Sequence, residues 1–258
     1  MKSFQKHCAE LVQFFGSLAD YRGYEGAENV STWLNLAACI KSIDYDTSYF
    51  DPGAGVCGMA DEWGERQSIL QKKIITELTR FQCCWSSLEA AVDSFVHMEN
   101  PPRGKINQLC AFLKENYLSN ETPLGYLDLT DYIQQRVNAS ENEQPLFRQV
   151  DNMPNFLSKH GYGVYCVYKL RNEIAHGAFN IPVDSGNGDN GVLADIIASS
   201  RIVLLTLHML MIARYPEDYI EVFWKKHITV GIPFEVYLRS IHIDDESYLV
   251  DIDLDEWS

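Results

Sequence analysis

Basic residues are scarce in this chain. Its 258 residues include 21 Lys and Arg against 36 Asp and Glu, which gives a formal net charge of −15 at pH 7. Proteins that bind nucleic acid irrespective of its sequence usually present a broad basic face. The composition therefore argues against broad, sequence-independent nucleic-acid binding, although a local basic site is compatible with it.

Metal and redox motifs are missing as well. The seven cysteines are scattered, odd in number and never spaced as CxxC, so we predict reduced, mostly buried thiols. Histidines and cysteines do not recur at the spacing of a catalytic zinc site, and the sequence contains neither GxSxG nor a Walker A motif. We therefore expect neither a metal nor a cofactor.

The sequence also lacks a long uninterrupted apolar run. The longest lies within residues 202–213, where Thr206 and His208 interrupt it. At about a dozen residues it is too short to span a bilayer. The first residues do not form an apolar core of signal-peptide length. We accordingly expect a cytoplasmic protein that does not engage a membrane.

Hydrophobic periodicity predicts a mainly helical protein. The clearest pattern lies in residues 67–96, where apolar side chains follow a strict 3-4 spacing that is typical of a bundle helix. These stripe residues are Ile74, Leu78, Phe81, Trp85, Leu88, Val92 and Phe95. Other helices are predicted over residues 4–18, 31–39 (with Ser31 as N-cap), 105–117, 129–137, 161–176 and 192–215.

Two regions differ from this helical pattern. Residues 44–64 are predicted to be a loop; the literal GxGxxG at residues 53–58 lacks the strand and helix of a dinucleotide site. After Pro216 the pattern becomes β-like, at residues 219–223, 228–232, 234–238 and 248–250, and an acidic end follows. We divide the chain into an N-terminal helical segment and loop (1–66), a helical bundle (67–215) and a β-containing acidic extension (216–258).

The best candidate for chemistry is Leu-Arg-Asn-Glu-Ile-Ala-His-Gly at residues 170–177. Arg171 carries a positive charge at any physiological pH, and His176 can transfer a proton near neutrality. Asn172 and His176 share one face of an ideal helix, whereas Arg171 lies off that face. On spacing alone, an ordinary helix C-terminus that stops at Gly177 is the favoured interpretation.

This stretch resembles the RNxxxH form of the R-x4–6-H motif of HEPN (higher eukaryotes and prokaryotes nucleotide-binding) domains. Residues 81–89 resemble the long upstream helix of these domains, which often carries aromatic and acidic residues, and the apolar helix at 192–215 also fits. The resemblance covers roughly residues 67–215. It implies a mainly α fold, with a HEPN-like antiparallel helical bundle that dimerises and brings two motifs into one composite cleft.

The resemblance also implies an activity. Active HEPN domains are metal-independent endoribonucleases that cut RNA by 2′-hydroxyl attack, often as toxins or in antiphage defence. By similarity, Arg171 would bind the scissile phosphate, His176 would be the general acid or base, and Asn172 would orient one of them. Lys169 and Arg201, with Lys159 nearby in sequence, are candidates for the surrounding RNA-binding patch. The expected partners are RNA, a second copy of the chain and a regulatory protein.

Two alternatives stay open at this point. The chain is a non-catalytic HEPN-type module that binds a nucleotide or a partner protein and scaffolds a larger complex, or it is a helical interaction protein whose partner surface is the stripe at residues 74–95. The acidic end, residues 244–258, is a candidate either to cover the basic patch or to dock onto a basic partner.

Overall fold

A computed structural model describes residues 1–45, 58–139, 146–183, 191–224 and 228–244. Within these ranges the protein is mainly helical, with one two-stranded antiparallel sheet near the C-terminal end, as predicted. The elements are α1 (Phe4–Arg22), α2 (Ala27–Cys39), α3 (Gly58–Phe95), α4 (Lys105–Asn116), α5 (Tyr126–Ala139), α6 (Lys159–Ala175), α7 (Gly191–Arg214), β1 (Tyr219–Trp224), β2 (Ile228–Pro233) and α8 (Phe234–Ser240).

Helix α3 is the long helix that the apolar stripe predicts. All stripe residues are buried except Leu78, which is half-buried against the same core. The helix packs on α2 and α7. The stripe therefore lies inside the protein, and the hypothesis that it forms a partner surface is wrong.

The beginning of α3 corrects the predicted loop. Residues 58–64 are helical, whereas residues 46–57, which include most of the GxGxxG sequence, lie outside the described residues. The helix also crosses the predicted boundary between residues 66 and 67. One continuous hydrophobic core contains residues from Phe4 to Ile241, so the N-terminal helices pack onto the bundle.

Helix α2 begins earlier than predicted. Its N-cap is Gly26, whose φ of 85° is accessible to glycine at little cost. Ser31 therefore lies within the helix and does not cap it. Its hydroxyl donates to the carbonyl of Val12 at 3.2 Å, which ties α2 to α1.

Helix α7 is the central helix of the bundle. By length and composition it is apolar enough to cross a membrane, but 89% of its most apolar window is buried inside the fold. It contacts α3, α4, α5, α6 and α8. Burial by protein on all sides explains why this helix has apolar residues around its whole circumference.

The C-terminal part contains the predicted sheet and one incorrect prediction. Strands β1 and β2 pair antiparallel, from Tyr219 opposite Pro233 to Trp224 opposite Ile228. Residues 234–238, predicted to be β-like, begin helix α8 instead. Their apolar residues alternate as in a strand, yet Phe234 and Leu238 are also one helical turn apart, and both are buried. The predicted strand at 248–250 lies outside the described residues.

Three buried histidines join the two ends of the chain. His208 Nδ1 must donate to the carbonyl of Leu238, because a carbonyl only accepts. Its Nε2 then accepts from His7 Nε2 at 2.8 Å, and His7 Nδ1 accepts from Arg201 at 3.1 Å. The ring of His242 lies 5.2 Å from that of His208. Because His208 Nε2 and His7 Nδ1 both accept, this chain of hydrogen bonds requires neutral His7 and His208.

Candidate active site at the end of helix α6

Helix α6 is held close to its neighbours by two glycines. A Cβ atom at Gly161 would lie 3.0 Å from Sγ of Cys110 on α4, and one at Gly163 would lie 2.9 Å from Cδ1 of Ile202 on α7. The side chains on this face of α6 are buried: Val164, Val167 and Leu170. The close packing fixes the rotation of the helix about its axis, so Tyr168 and Arg171 contact α3.

The candidate histidine lies at the C-terminal end of α6. His176 is the C-cap residue, and Gly177 follows with a left-handed φ of 68°. The amide of Gly177 donates to the carbonyl of Ile174 at 3.2 Å, and that of Ala178 donates to Glu173 at 2.8 Å. These two bonds form a Schellman motif, which satisfies the last carbonyls of the helix. The motif leaves the side chain of His176 exposed.

Arg171 is half-buried against α3. Its Nη2 donates to Oε1 of Glu89 at 3.0 Å, and the same carboxylate oxygen accepts a 2.7 Å hydrogen bond from Nε1 of Trp85. The indole of Trp85 stacks on the ring of Tyr168, with centroids 5.9 Å apart and an interplanar angle of 15°. Glu89 therefore holds the arginine, and the stacked Trp85 in turn holds Glu89, while the side chain of Arg171 remains 28% exposed.

The other polar residues of the motif form a second set of contacts. Asn172 Oδ1 accepts from Nη1 of Arg171 at 3.4 Å. Lys169 pairs with Glu173 at 3.5 Å, one helical turn away. Both candidate cations of the motif are thus paired with carboxylates. A phosphate that binds here competes with Glu89 and Glu173 for them.

Comparisons with family models, with curated proteins and with solved structures found no match.

The structure does not bring Arg201 to this site. Its guanidinium donates to the carbonyl of Lys2 at 2.8 Å and contacts His7 at the N-terminal end of α1. Burial lowers the pKa of Arg201 from its ordinary value. Lys159 lies at the opposite end of α6 from the motif and donates to the carbonyl of Asn120 at 3.3 Å. Neither contact involves Arg171 or His176.

A different arginine, which the sequence did not identify, lies beside the site. The guanidinium of Arg148 lies 4.5 Å from the ring centroid of Tyr165 and 5.5 Å from that of Tyr168. Its backbone amide donates to Cys166 at 3.0 Å, which anchors this segment on α6. In the described part of the chain it forms no ion pair with a carboxylate. Residues 146–157 have no regular period, so the sequence carried no signal for this contact.

Glu89 was also missed as a site residue, although a signal for it exists. It lies one helical turn after Trp85 in the stretch that resembles the upstream HEPN helix. Across the described ranges, His, Cys, Asp and Glu residues do not form a group of three or more that could hold a metal ion. The residues that the site brings together are Arg171, Asn172, Glu89, Trp85 and Tyr168, with His176 exposed at the helix end.

Proposed function

We propose that this protein is a metal-independent endoribonuclease of the HEPN type, whose active site is completed by a second copy of the chain. The observation that carries the proposal is the arrangement at the end of α6. A half-buried arginine is oriented by Glu89, and an exposed histidine follows five residues later at a capped helix end. The motif supplies phosphate binding and proton transfer, which are the two requirements of RNA cleavage by the adjacent hydroxyl.

The proposed reaction balances without a co-reactant. The 2′-oxygen attacks the neighbouring phosphorus, and the bond between that phosphorus and the 5′-oxygen breaks. A 2′,3′-cyclic phosphate and a free 5′-hydroxyl are left. In a composite cleft, one His176 takes the proton of the 2′-hydroxyl and the other His176 protonates the leaving 5′-oxygen. Arg171 stabilises the charge that develops on the phosphorane oxygens, and Asn172 orients its guanidinium.

Arg148 replaces Arg201 as the proposed RNA-binding residue. Its guanidinium lies 5.5 Å from the ring centroid of Tyr168, which stacks on Trp85. Arg148, Lys169 and Arg171 outnumber the carboxylates of Glu89 and Glu173 by one, which gives the α6 face a small basic patch in a strongly acidic chain. Arginine and tyrosine faces also stack on unpaired bases, so this patch suits single-stranded RNA. Antiphage defence or toxin action is the proposed cellular role.

A second candidate function is supported by the ion pairs of the motif. Because Arg171 and Lys169 are already paired with Glu89 and Glu173, the site resembles a structural salt-bridge network. A non-catalytic HEPN-type module that binds a nucleotide or a partner protein would retain such a network. The two functions make different predictions for substitution of Arg171 or His176: only the endoribonuclease would lose RNA cleavage.

The test is an RNA cleavage assay with EDTA present. We expect the wild type to cleave RNA. Arg171→Ala and His176→Ala should each reduce the rate by at least about a hundredfold, through loss of charge stabilisation at the phosphate and of the general acid or base, respectively. Arg103→Ala and His97→Ala are matched controls, because both side chains are exposed and lie outside α6. They should retain wild-type activity.

Two results would contradict the proposal. The first is a wild type that is inert on RNA but forms a stable complex with a nucleotide or protein, which supports the scaffold function. The second is a strict monomer by mass measurement in solution at the assay concentration, because a monomer cannot form a composite cleft. The proposal requires that the wild type cleaves RNA and that it forms a dimer at the assay concentration.

A further inference from the structure

A second cleft lies along α3, away from Trp85 and Glu89. It is lined by cationic and aliphatic side chains, unlike the proposed RNA site. It has a volume of about 550 Å³, which is within the range of small-molecule sites. The chain that follows α2 forms one wall, α3 forms the floor, and α7 forms the other wall. Its lining residues are Lys41, Ser42, Ile69, Lys72, Lys73, Thr76, Glu77, Arg80, Leu193 and Ile197.

Positive charge is concentrated in this cleft. Four cationic side chains line it against the single carboxylate of Glu77, which leaves a formal charge of +3, whereas the whole chain carries −15. Lys72 is paired with the exposed Asp44 at 2.9 Å. Lys41 and Lys73 form no ion pair with any carboxylate in the described ranges. These two lysines are therefore the groups that can bind an anion.

The position of Lys41 is fixed by contacts with α3. The buried guanidinium of Arg80 donates from Nη2 to the carbonyl of Ile40 at 2.7 Å and to that of Lys41 at 3.1 Å. The amide of Ile43 donates to Thr76 Oγ1 at 3.0 Å. These bonds hold the chain after α2 along α3 and fix the backbone of Lys41 beside the cleft. This wall of the site is thus in place before a ligand binds.

The remaining lining residues are aliphatic. Ile69 is 57% exposed and Ile197 is 40% exposed, and Leu193 lies beside them. Exposed isoleucines that line one cleft are available for burial by an apolar ligand. Among the described residues that line the cleft, none has an aromatic ring on which a nucleobase would stack. An aliphatic chain fits this surface better than a base does.

We propose that this cleft binds a free amphipathic anion, with a carboxylate or phosphate headgroup on Lys41 and Lys73 and an aliphatic chain on Ile69, Leu193 and Ile197. The headgroup gains charge-assisted hydrogen bonds from the lysines, and the chain is removed from water. This site is separate from the RNA site, and its ligand binding does not depend on RNA cleavage.

The test is isothermal titration of the full chain with sodium dodecanoate below its micelle concentration. We expect one binding site per chain. The double variant Lys41→Gln/Lys73→Gln should weaken binding by about tenfold or more, as the loss of two charged contacts implies. Lys6→Gln/Lys105→Gln removes the same charge from exposed lysines outside the cleft and should bind as the wild type does. Ile197→Asn should weaken binding independently of the headgroup contacts.

Several outcomes would overturn the proposal. Binding that is absent, or equally weakened in both double variants, would remove the site. Displacement of dodecanoate by AMP at equal concentration would show that the ligand class is wrong. Binding to mixed phosphatidylcholine and phosphatidylserine vesicles, without binding of monomeric dodecanoate, would assign the lysines to a membrane surface instead. Circular dichroism melts of each variant separate lost binding from lost folding.

Discussion

Arg171 donates to Glu89 at 3.0 Å, across 82 positions of sequence, and this contact joins the candidate catalytic helix α6 to the long helix α3. The carboxylate orients the arginine, but it also neutralises the charge that an RNA phosphate would bind. The proposed RNA site therefore implies a competition between Glu89 and the RNA phosphate for Arg171.

Replacement of Glu89 by glutamine tests this competition. Glutamine still accepts the hydrogen bond from Trp85 and removes the negative charge. We expect RNA to bind about two- to fivefold more tightly, the gain that follows from a partly exposed ion pair worth up to about 1 kcal/mol. Fluorescence anisotropy in a His176→Ala background measures binding without cleavage. Glu115→Gln, an exposed residue on α4, is the matched control; weaker binding by the Glu89 variant would contradict the competition.

The helix end that presents His176 depends on glycine at position 177. Its φ of 68° is unfavourable for a residue with a side chain, although nothing lies within 4 Å of the added Cβ. Gly177→Ala should therefore cost about 1 kcal/mol of unfolding free energy through backbone strain alone. It should also slow RNA cleavage, because the Schellman motif positions His176. Gly58 also has open space around an added Cβ, but its φ is not positive. Gly58→Ala should therefore lower neither the unfolding free energy, measured with urea, nor the rate of RNA cleavage.

The close packing of α6 on α4 makes a separate prediction about stability. A Cβ atom at Gly161 would lie 3.1 Å from Cβ and 3.2 Å from Cα of Cys110. Since backbone cannot move aside cheaply, Gly161→Ala should destabilise the protein by about 1–3 kcal/mol. Gly16→Ala, in α1, meets nothing closer than 3.9 Å. It should be neutral or stabilise by up to about 1 kcal/mol, because alanine favours helix. Equal effects of the two changes in urea unfolding would refute this packing argument.

The buried histidines predict loss of stability in mild acid. Burial lowers the pKa of His208 to about 3 and that of His160 to about 4, and it lowers the pKa of His7 well below its ordinary value. The unfolded chain therefore takes up protons near pH 6.5 that the folded chain does not bind. Stability is full above pH 6.5 and falls below it, by about 1.4 kcal/mol per pH unit for each histidine that stays neutral.

Urea unfolding at pH 7.5, 6.5 and 5.5 measures this slope, in a range above the ordinary titration of carboxylates. His208→Gln can preserve the hydrogen bond to Leu238. It should reduce the slope of the unfolding free energy against pH by the contribution of one histidine, about 1.4 kcal/mol per pH unit. His97→Gln, in which the ring is exposed, should leave it unchanged. Stability that is level between pH 7.5 and 5.5 in the wild type would show that these histidines titrate normally, and this result does not depend on the folding of the variant.

The sequence was sufficient to predict the helical frame but not the contacts that complete the site. The stripe from Ile74 to Phe95 was recognised because its period is local, and Gly177 marked the end of α6 for the same reason. The pairing of Arg171 with Glu89 depends on two helices that are distant in sequence, and no local pattern encodes it. Arg201 was misjudged because its contact with His7 is likewise long-range. Helix α8 was missed because Phe234, Val236 and Leu238 alternate as in a strand, whereas the helical signal is only the four-residue spacing of Phe234 and Leu238.

The central claim is that Arg171 and His176 cleave RNA by 2′-hydroxyl attack. Mass spectrometry of the RNA ends after incubation with a chelator tests it most directly. The account predicts fragments with 2′,3′-cyclic phosphate and 5′-hydroxyl ends from the wild type and from His97→Ala, and intact RNA from His176→Ala. Intact RNA from the wild type, fragments with 5′-phosphate ends, or identical fragments from His176→Ala would contradict it.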